Sequence, residues 1–241
     1  MGKTLAAQPR GRVKGGGTGS GKRGGKKGGD WRRIAKIVGG VMLLALVLRI
    51  FVVHPFRVPS RSMEDTLLAG DCILVDKLTY GALLPILEWR MPALRPPRVG
   101  ELLVFKYPVD PARSYVKRCL AVAGQMVEIR DKVVYIDGAR QPDPPFSKYI
   151  DARIFASGIA PRDNYGPREV PVGSVFVAGD NRDNSRDSRH WGFLPLHMLE
   201  GRALLAYWSV IPLAEDERAG LGNWWTFLSR VRWHRLGTWG Q

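Results

Sequence analysis

Two serines, Ser60 and Ser62, stand two residues apart in the stretch FRVPSRSMEDTLLAG (56–70), and the apolar Met63 follows them. In an extended segment, residues two apart point to one side, so the two hydroxyls would converge on a single carbonyl. A second stretch, YVKRCLA (115–121), sets Lys117 inside an otherwise apolar, strand-like run. A lysine at such a place usually faces solvent. Turned inward it loses hydration, its pKa falls, and the neutral amine can accept a proton from a serine hydroxyl without any histidine. The four histidines, His54, His190, His197 and His234, form no zinc-binding pattern, and no GxSxG elbow is present. A histidine triad therefore has little support, and no zinc site is indicated. Only His190 is placed to be weighed as a base, and a surface or packing role suits it better.

A third stretch, GDNRDNSRDSRHWG (179–192), balances Asp180, Asp183 and Asp187 against Arg182, Arg186 and Arg189. Such density predicts local ion pairs and Asx turns that stiffen a loop bracing a site. A calcium loop fits poorly, because the interleaved arginines oppose a dication and the bidentate glutamate is missing. The two cysteines, Cys72 and Cys119, match neither a disulfide framework nor a redox pair, which leaves one disulfide or two buried thiols, and their apolar runs favour buried thiols.

The elements that position these residues read as mostly β. Short β-branched and aromatic runs recur between turn signals over 72–76, 101–106, 115–121, 126–130, 133–136, 174–178 and 203–209. The Pro-, Asp- and Arg-rich stretch 137–171 reads as an insertion between two halves of a sheet, 54–136 and 172–220. Ahead of the folded part, residues 34–53 (IAKIVGGVMLLALVLRIFVV) make an apolar run of twenty. At about 1.5 Å per residue that length crosses a roughly 30 Å hydrocarbon layer, with Lys36 and Arg49 near its ends. A cleaved signal peptide fits less well, since VVHPFRVPS offers no small-x-small site.

Charge is concentrated ahead of that run. The 241-residue chain is +15, and residues 1–36 hold +10 of it. Residues 1–33 also hold eleven of the 28 glycines, which predicts a disordered basic tail. Within it GGTGSGK (16–22) imitates a phosphate-binding loop, but Arg23 stands where Ser or Thr is needed. Seven Lys/Arg lie within twenty residues before the apolar run and two after, so the tail is expected in the cytoplasm and the rest outside. The excess therefore does not read as a specific nucleic-acid site.

Taken together, PSRSMEDTL, GDCILVDKLTYG, FKYPVDP followed by YVKR, and GDNRDNSRDSRHWGF, in this order, resemble the bacterial type I signal peptidases of the Ser-Lys protease clan. The resemblance implies a mainly β fold: an antiparallel extracytoplasmic catalytic domain with a small inserted β/loop subdomain, preceded by one transmembrane helix. It implies a membrane-bound serine endopeptidase that cleaves signal peptides from exported preproteins after small-x-small sites, without cofactor or metal. Its partners would be those peptides, membrane lipid and the secretion machinery, at the bacterial cytoplasmic (inner) membrane with the N-terminus cytoplasmic. By the same resemblance Ser62 is the nucleophile and Lys117 the general base, and Ser60 joins Ser62 in the oxyanion hole. Ser185 orients the lysine, Asp187 and Arg189 hold the loop, and Phe56, Val58, Met63, Ile73, Val104, Tyr115 and Val116 line shallow pockets for small residues.

Three positions depart from the family pattern: Asp65 replaces a proline, Gln125 replaces an aspartate, and Arg61 stands where many members have glycine. The C-terminal stretch 221–241, with Trp224, Trp225, Trp233, Trp239 and several arginines, suits either a membrane-interface contact or a satellite core. The competing reading of the whole chain is a catalytically silent, membrane-anchored scaffold whose basic tail binds polyanions.

Overall fold

The computed structural model describes residues 30–81, 83–84, 89–212 and 228–238. The basic tail through residue 29, and Trp224, Trp225 and Trp239, lie outside them. Thirteen strands are present among the described residues: β1 (Val53–Arg57), β2 (Asp71–Asp76), β3 (Leu83–Leu84), β4 (Trp89–Arg90), β5 (Leu102–Tyr107), β6 (Asp110–Val122), β7 (Met126–Arg130), β8 (Val133–Ile136), β9 (Ala139–Arg140), β10 (Tyr165–Glu169), β11 (Ser174–Ala178), β12 (Leu194–Pro195) and β13 (Leu199–Ser209). The main sheet has seven strands in the order β1-β2-β13-β5-β6-β11-β12, and all its neighbouring strands are antiparallel. The fold is mainly β, and each of the seven apolar runs coincides with a strand.

Periodicity explains where the cores sit. In β2, Asp71, Ile73 and Val75 are buried while their neighbours are half-buried, the period-2 signature of a strand with one face covered. Strand β5 is central and buried on both faces. Its Leu102 and Val104 pack with Val58, Met63, Leu67, Ile73 and Val116, whereas Leu103 and Phe105 pack with Tyr80, Cys119, Val175 and Leu194. Both cysteines are free thiols, Cys119 buried and Cys72 half-buried.

The stretch 137–171 supplies β9 and β10 to a four-stranded sheet, β10-β7-β8-β9, built on the hairpin β7–β8. Its core gathers Val127, Ile129, Val134, Ile136, Tyr165 and Phe176.

The described residues divide into two units, one ending at Met42 and one beginning at Leu43. Helix α1 (Asp30–Phe51, 22 residues) displays its apolar side chains, with Ile37, Met42 and Leu43 among the exposed. Among the described residues no helix is long and apolar enough to cross a membrane. The charge-free stretch of α1, 37–48, rises only about 18 Å at 1.5 Å per residue, because Lys36 and Arg49 bracket it.

Candidate active site

The sheet delivers the lysine and the loop beside it. In the β6–β11 ladder Ala178 faces Arg118, so the 179–192 loop leaves β11 at the level of Lys117. The serines come from the β1–β2 connection. Val58 N–H donates to Asp71 O at 2.8 Å and Gly70 N–H to Val58 O at 3.0 Å, which closes the base of that connection. Within it residues 60–66 form a bend and a turn rather than an extended segment, with Leu67 N–H donating to Met63 O at 2.7 Å. Two positions of left-handed backbone follow the serines. Asp65 has φ 77°, and Gly70 has φ 90° with Val210 O only 2.0 Å from where a Cβ would sit. Proline cannot adopt φ 77°, whereas aspartate tolerates the left-handed region, which accounts for the Asp65 departure.

The serine hydroxyls nevertheless meet, with Ser60 Oγ 3.2 Å from Ser62 Oγ. Lys117 Nζ lies 2.6 Å from Ser62 Oγ and donates to Val116 O at 3.1 Å. Lys117 is 3% exposed. Burial lowers its amine to about 8; the Asp187 carboxylate opposes that shift, and the Arg189 guanidinium reinforces it. The amine also sits 5.3 Å from the centroid of the Tyr115 ring. Ser60, Arg61, Ser62, Tyr115, Lys117, Asn184 and Arg186 line an open cavity of roughly 180 Å³. His190 is exposed and does not line it.

Asp187 and Arg189 form a buried bidentate pair at 2.7 and 2.8 Å. Burial alone would raise the Asp187 carboxyl, but the guanidinium and the Gly179 N–H at 3.0 Å hold it at about 2. Ser185 differs from expectation. Its Oγ is buried, lies near enough to Asp187 to help hold that carboxyl down, and makes no well-formed hydrogen bond to Lys117 or to any other described group. Three of the four remaining charges of the loop pair across the fold rather than locally: Asp180 with Arg118 at 2.7 Å, Arg182 with Asp143 at 3.2 Å and Asp183 with Lys132 at 2.9 Å.

Of the expected pocket residues, Val58, Met63, Ile73, Val104 and Val116 are buried in one cluster, with Phe56 half-buried against it. Tyr115 is half-buried on a different cluster, where its ring packs 4.8 Å from that of Tyr107. The five cluster residues thus belong to the closed core, and none of them lines the cavity at Ser62.

Several residues that fix the serine turn escaped sequence reasoning. Asn181 donates its backbone N–H to Ser62 O at 3.1 Å and its side-chain amide to Arg61 O at 3.3 Å. Thr66 donates to Asp180. From the C-terminal segment, Arg235 donates to Asp71 Oδ2 at 2.8 Å and to Thr66 O at 2.9 Å, and Arg232 donates to Ala69 O at 2.6 Å. Trp233 packs edge-on against Trp208 at 5.8 Å, so this part of the C-terminal stretch is a satellite of the β domain. The GDN motif was the available signal for Asp180 and Asn181; nothing in the sequence pointed to Arg235.

Comparison with known proteins gives the family. The family model described as signal peptidase, peptidase S26, matches residues 31–208. A signal peptidase I from Pseudomonas fluorescens is 32% identical over 197 residues, 70% of this chain and 69% of that protein. The signal peptidase I of Pseudomonas aeruginosa is 32% identical over 199 residues, again 70% and 69%. That of Rickettsia typhi is 32% identical over 218 residues, 76% of this chain and 82% of that one. With the family matched across most of the described sheet and all of the serine and lysine segments, the chain belongs to the signal peptidase family, peptidase S26, and is a serine endopeptidase.

Proposed function

We propose that this protein cleaves N-terminal signal peptides from exported preproteins after small-x-small sites, with Ser62 as nucleophile and Lys117 as general base. The observation that carries this reading is the 2.6 Å approach of Lys117 Nζ to Ser62 Oγ at a place almost closed to water. An amine at about 8 is neutral in about a tenth of molecules at pH 7 and in half at pH 8, so the base is available without an imidazole.

The chemistry then runs in two halves. Ser62 Oγ attacks the scissile carbonyl as Lys117 takes its proton, and the oxyanion is held by the Ser62 N–H and the Ser60 hydroxyl. The ammonium returns the proton to the leaving amine, giving an acyl-serine and the free mature chain. Water, deprotonated by the neutral lysine, releases the signal peptide as a carboxylate and restores Ser62. Asp187, Arg189 and Ser185 serve by holding the loop beside the amine.

An unpaired strand edge supports an extended substrate. The β6–β11 ladder ends at Arg118, so the segment up to Lys117 has no β11 partner on that side. The preference for side chains no larger than alanine at −1 and −3 is carried over from the family resemblance, and the packed cluster of Val58, Met63, Ile73, Val104 and Val116, almost closed to solvent, offers no deep pocket for a larger one. The exposed apolar residues of α1 suit lipid, with Lys36 and Arg49 reaching the headgroups. On this reading the basic tail is cytoplasmic, the peptidase domain from residue 54 lies outside a bacterial cytoplasmic membrane, and lipid and the secretion machinery are its neighbours. The test is cleavage of a purified preprotein by the full chain. One cut after a small-x-small site, lost in both Ser62→Ala and Lys117→Ala, is expected; normal cleavage by both variants contradicts the assignment.

A further inference from the structure

The inserted stretch 137–171 reaches the serine turn through the side chain of Lys148. Its Nζ lies 3.5 Å from Glu64 Oε2 and 3.4 Å from Asp65 Oδ2, so a single ammonium serves two consecutive carboxylates just beyond Ser62. Where the family pattern has proline, Asp65 supplies the second of them. The backbone of Lys148 is fixed on the 179–192 loop: its N–H donates to Asp180 O at 2.8 Å, Arg182 N–H donates to its carbonyl at 2.9 Å, and the two segments run parallel there. Asn181, between those two contacts, donates its N–H to Ser62 O at 3.1 Å and its side-chain amide to Glu64 Oε2 at 3.2 Å. Three segments distant in sequence therefore meet at the turn that carries the nucleophile.

Charge makes the lysine the sensitive member of this junction. The backbone contacts survive a substitution at 148, whereas Glu64 and Asp65 without the ammonium are like charges on adjacent residues of a tight turn, one of them held at φ 77°. The pairing is partly exposed, with 32% of the Lys148 side chain accessible, so its share of global stability is small. Geometry is less forgiving. Ser62 Oγ works only within hydrogen-bond reach of Lys117 Nζ, 2.6 Å in the structure, and a displacement of about 1 Å can cost about a hundredfold in rate. We infer that Lys148 is a positioning residue for the nucleophile, its ammonium holding Glu64 and Asp65 and thereby the turn that presents Ser62 to Lys117. This rests on the proposed peptidase function and gives the insertion a part in the reaction.

The test compares the purified full chain with its Lys148→Met and Lys148→Arg variants on one preprotein, well below the melting temperature of each. Lys148→Met should lower kcat by about twofold to fivefold at unchanged KM, and Lys148→Arg should keep most of kcat. The pH midpoint of the Met variant should stay near 8, because the charges acting on Lys117 are those of Asp187, Arg189 and Asp180. In a Glu64→Gln, Asp65→Asn background, where asparagine still tolerates left-handed backbone, Lys148→Met should lower kcat no further. A lower melting temperature with unchanged kcat assigns the lysine to stability alone, a higher KM at unchanged kcat assigns it to substrate binding, and a shifted pH midpoint assigns it to the amine; each overturns the proposal. An undiminished loss in the neutral background overturns it as well. If the parent does not cut the preprotein, the peptidase reading fails on its own. Amide hydrogen exchange at Thr66 and Leu67, which donate to Met63 O, then still decides whether the lysine holds the turn: faster exchange in Lys148→Met than in Lys148→Arg is expected, and equal exchange overturns it.

Discussion

Gly179 and Ser185 approach so closely that a Cβ at position 179 would lie 2.3 Å from Ser185 Oγ and 2.5 Å from Ser62 O. Space, not backbone angle, requires glycine here, and the gap is shared by the loop that braces the lysine and the residue that carries the nucleophile. Gly179→Ala is therefore expected to destabilise by about 1–3 kcal/mol through overpacking, and to lower kcat more than it raises KM. Adding Ser185→Gly removes two of the three clashing atoms but not Ser62 O, so it should restore part of the melting temperature and little of kcat. A double variant with full activity would show that the serine carbonyl is free to move.

Asp65 gives a second stability test. With φ 77° it adopts a conformation closed to proline, so Asp65→Pro, the substitution toward the family pattern, should cost about 3 kcal/mol or more. Asp65→Gly should be close to neutral. Chemical denaturation of both variants checks the pair, and a stabilising proline would mean that the turn is built differently.

Arg235 ties the C-terminal segment to the serine turn through Asp71 Oδ2 and Thr66 O. Arg235→Gln leaves Asp71 with Arg232 at 3.5 Å as its remaining described ion-pair partner. A loss of about 1–3 kcal/mol and a several-fold fall in kcat at similar KM are expected, with Arg235→Lys recovering part of both. Unchanged thermal melting and kinetics would make the clamp ornamental.

How far the sequence revealed this site depends on separation along the chain. The strands were legible because apolar alternation is local, and Ser62 and Lys117 stood out because a hydroxyl pair and a lone amine interrupt apolar patterns. The bend and turn over 60–66 were not legible, because left-handed backbone such as that at Asp65 and Gly70 leaves no mark on hydropathy. Apart from Asp187 with Arg189, the charges were legible as a network but not as pairs: Arg118 meets Asp180 across 62 positions, and Arg235 meets Asp71 across 164. Such contacts are set by sheet topology, which no short window contains.

Burying an unpaired amine carries a stability cost with a defined pH window. The Lys117 pKa is lowered from 10.5 to about 8, so the unfolded chain binds the proton more tightly and folding is penalised below about pH 8. Between about 8 and 10.5 the folded protein is neutral while the unfolded chain is still charged, so stability attributable to this group rises with pH. Lys117→Met should therefore be more stable than the parent at pH 7 by up to about 3 kcal/mol, and the advantage should shrink toward pH 10.5. A variant less stable at pH 7 would mean that the amine is satisfied in the folded state.

The most direct measurement is the pH dependence of kcat/KM for a preprotein cut by the full chain, read from pH 6 to 10. A neutral lysine acting as base predicts a rise of tenfold per pH unit that levels off near pH 8. A flat profile, or a rise that continues toward 10.5, would contradict the account.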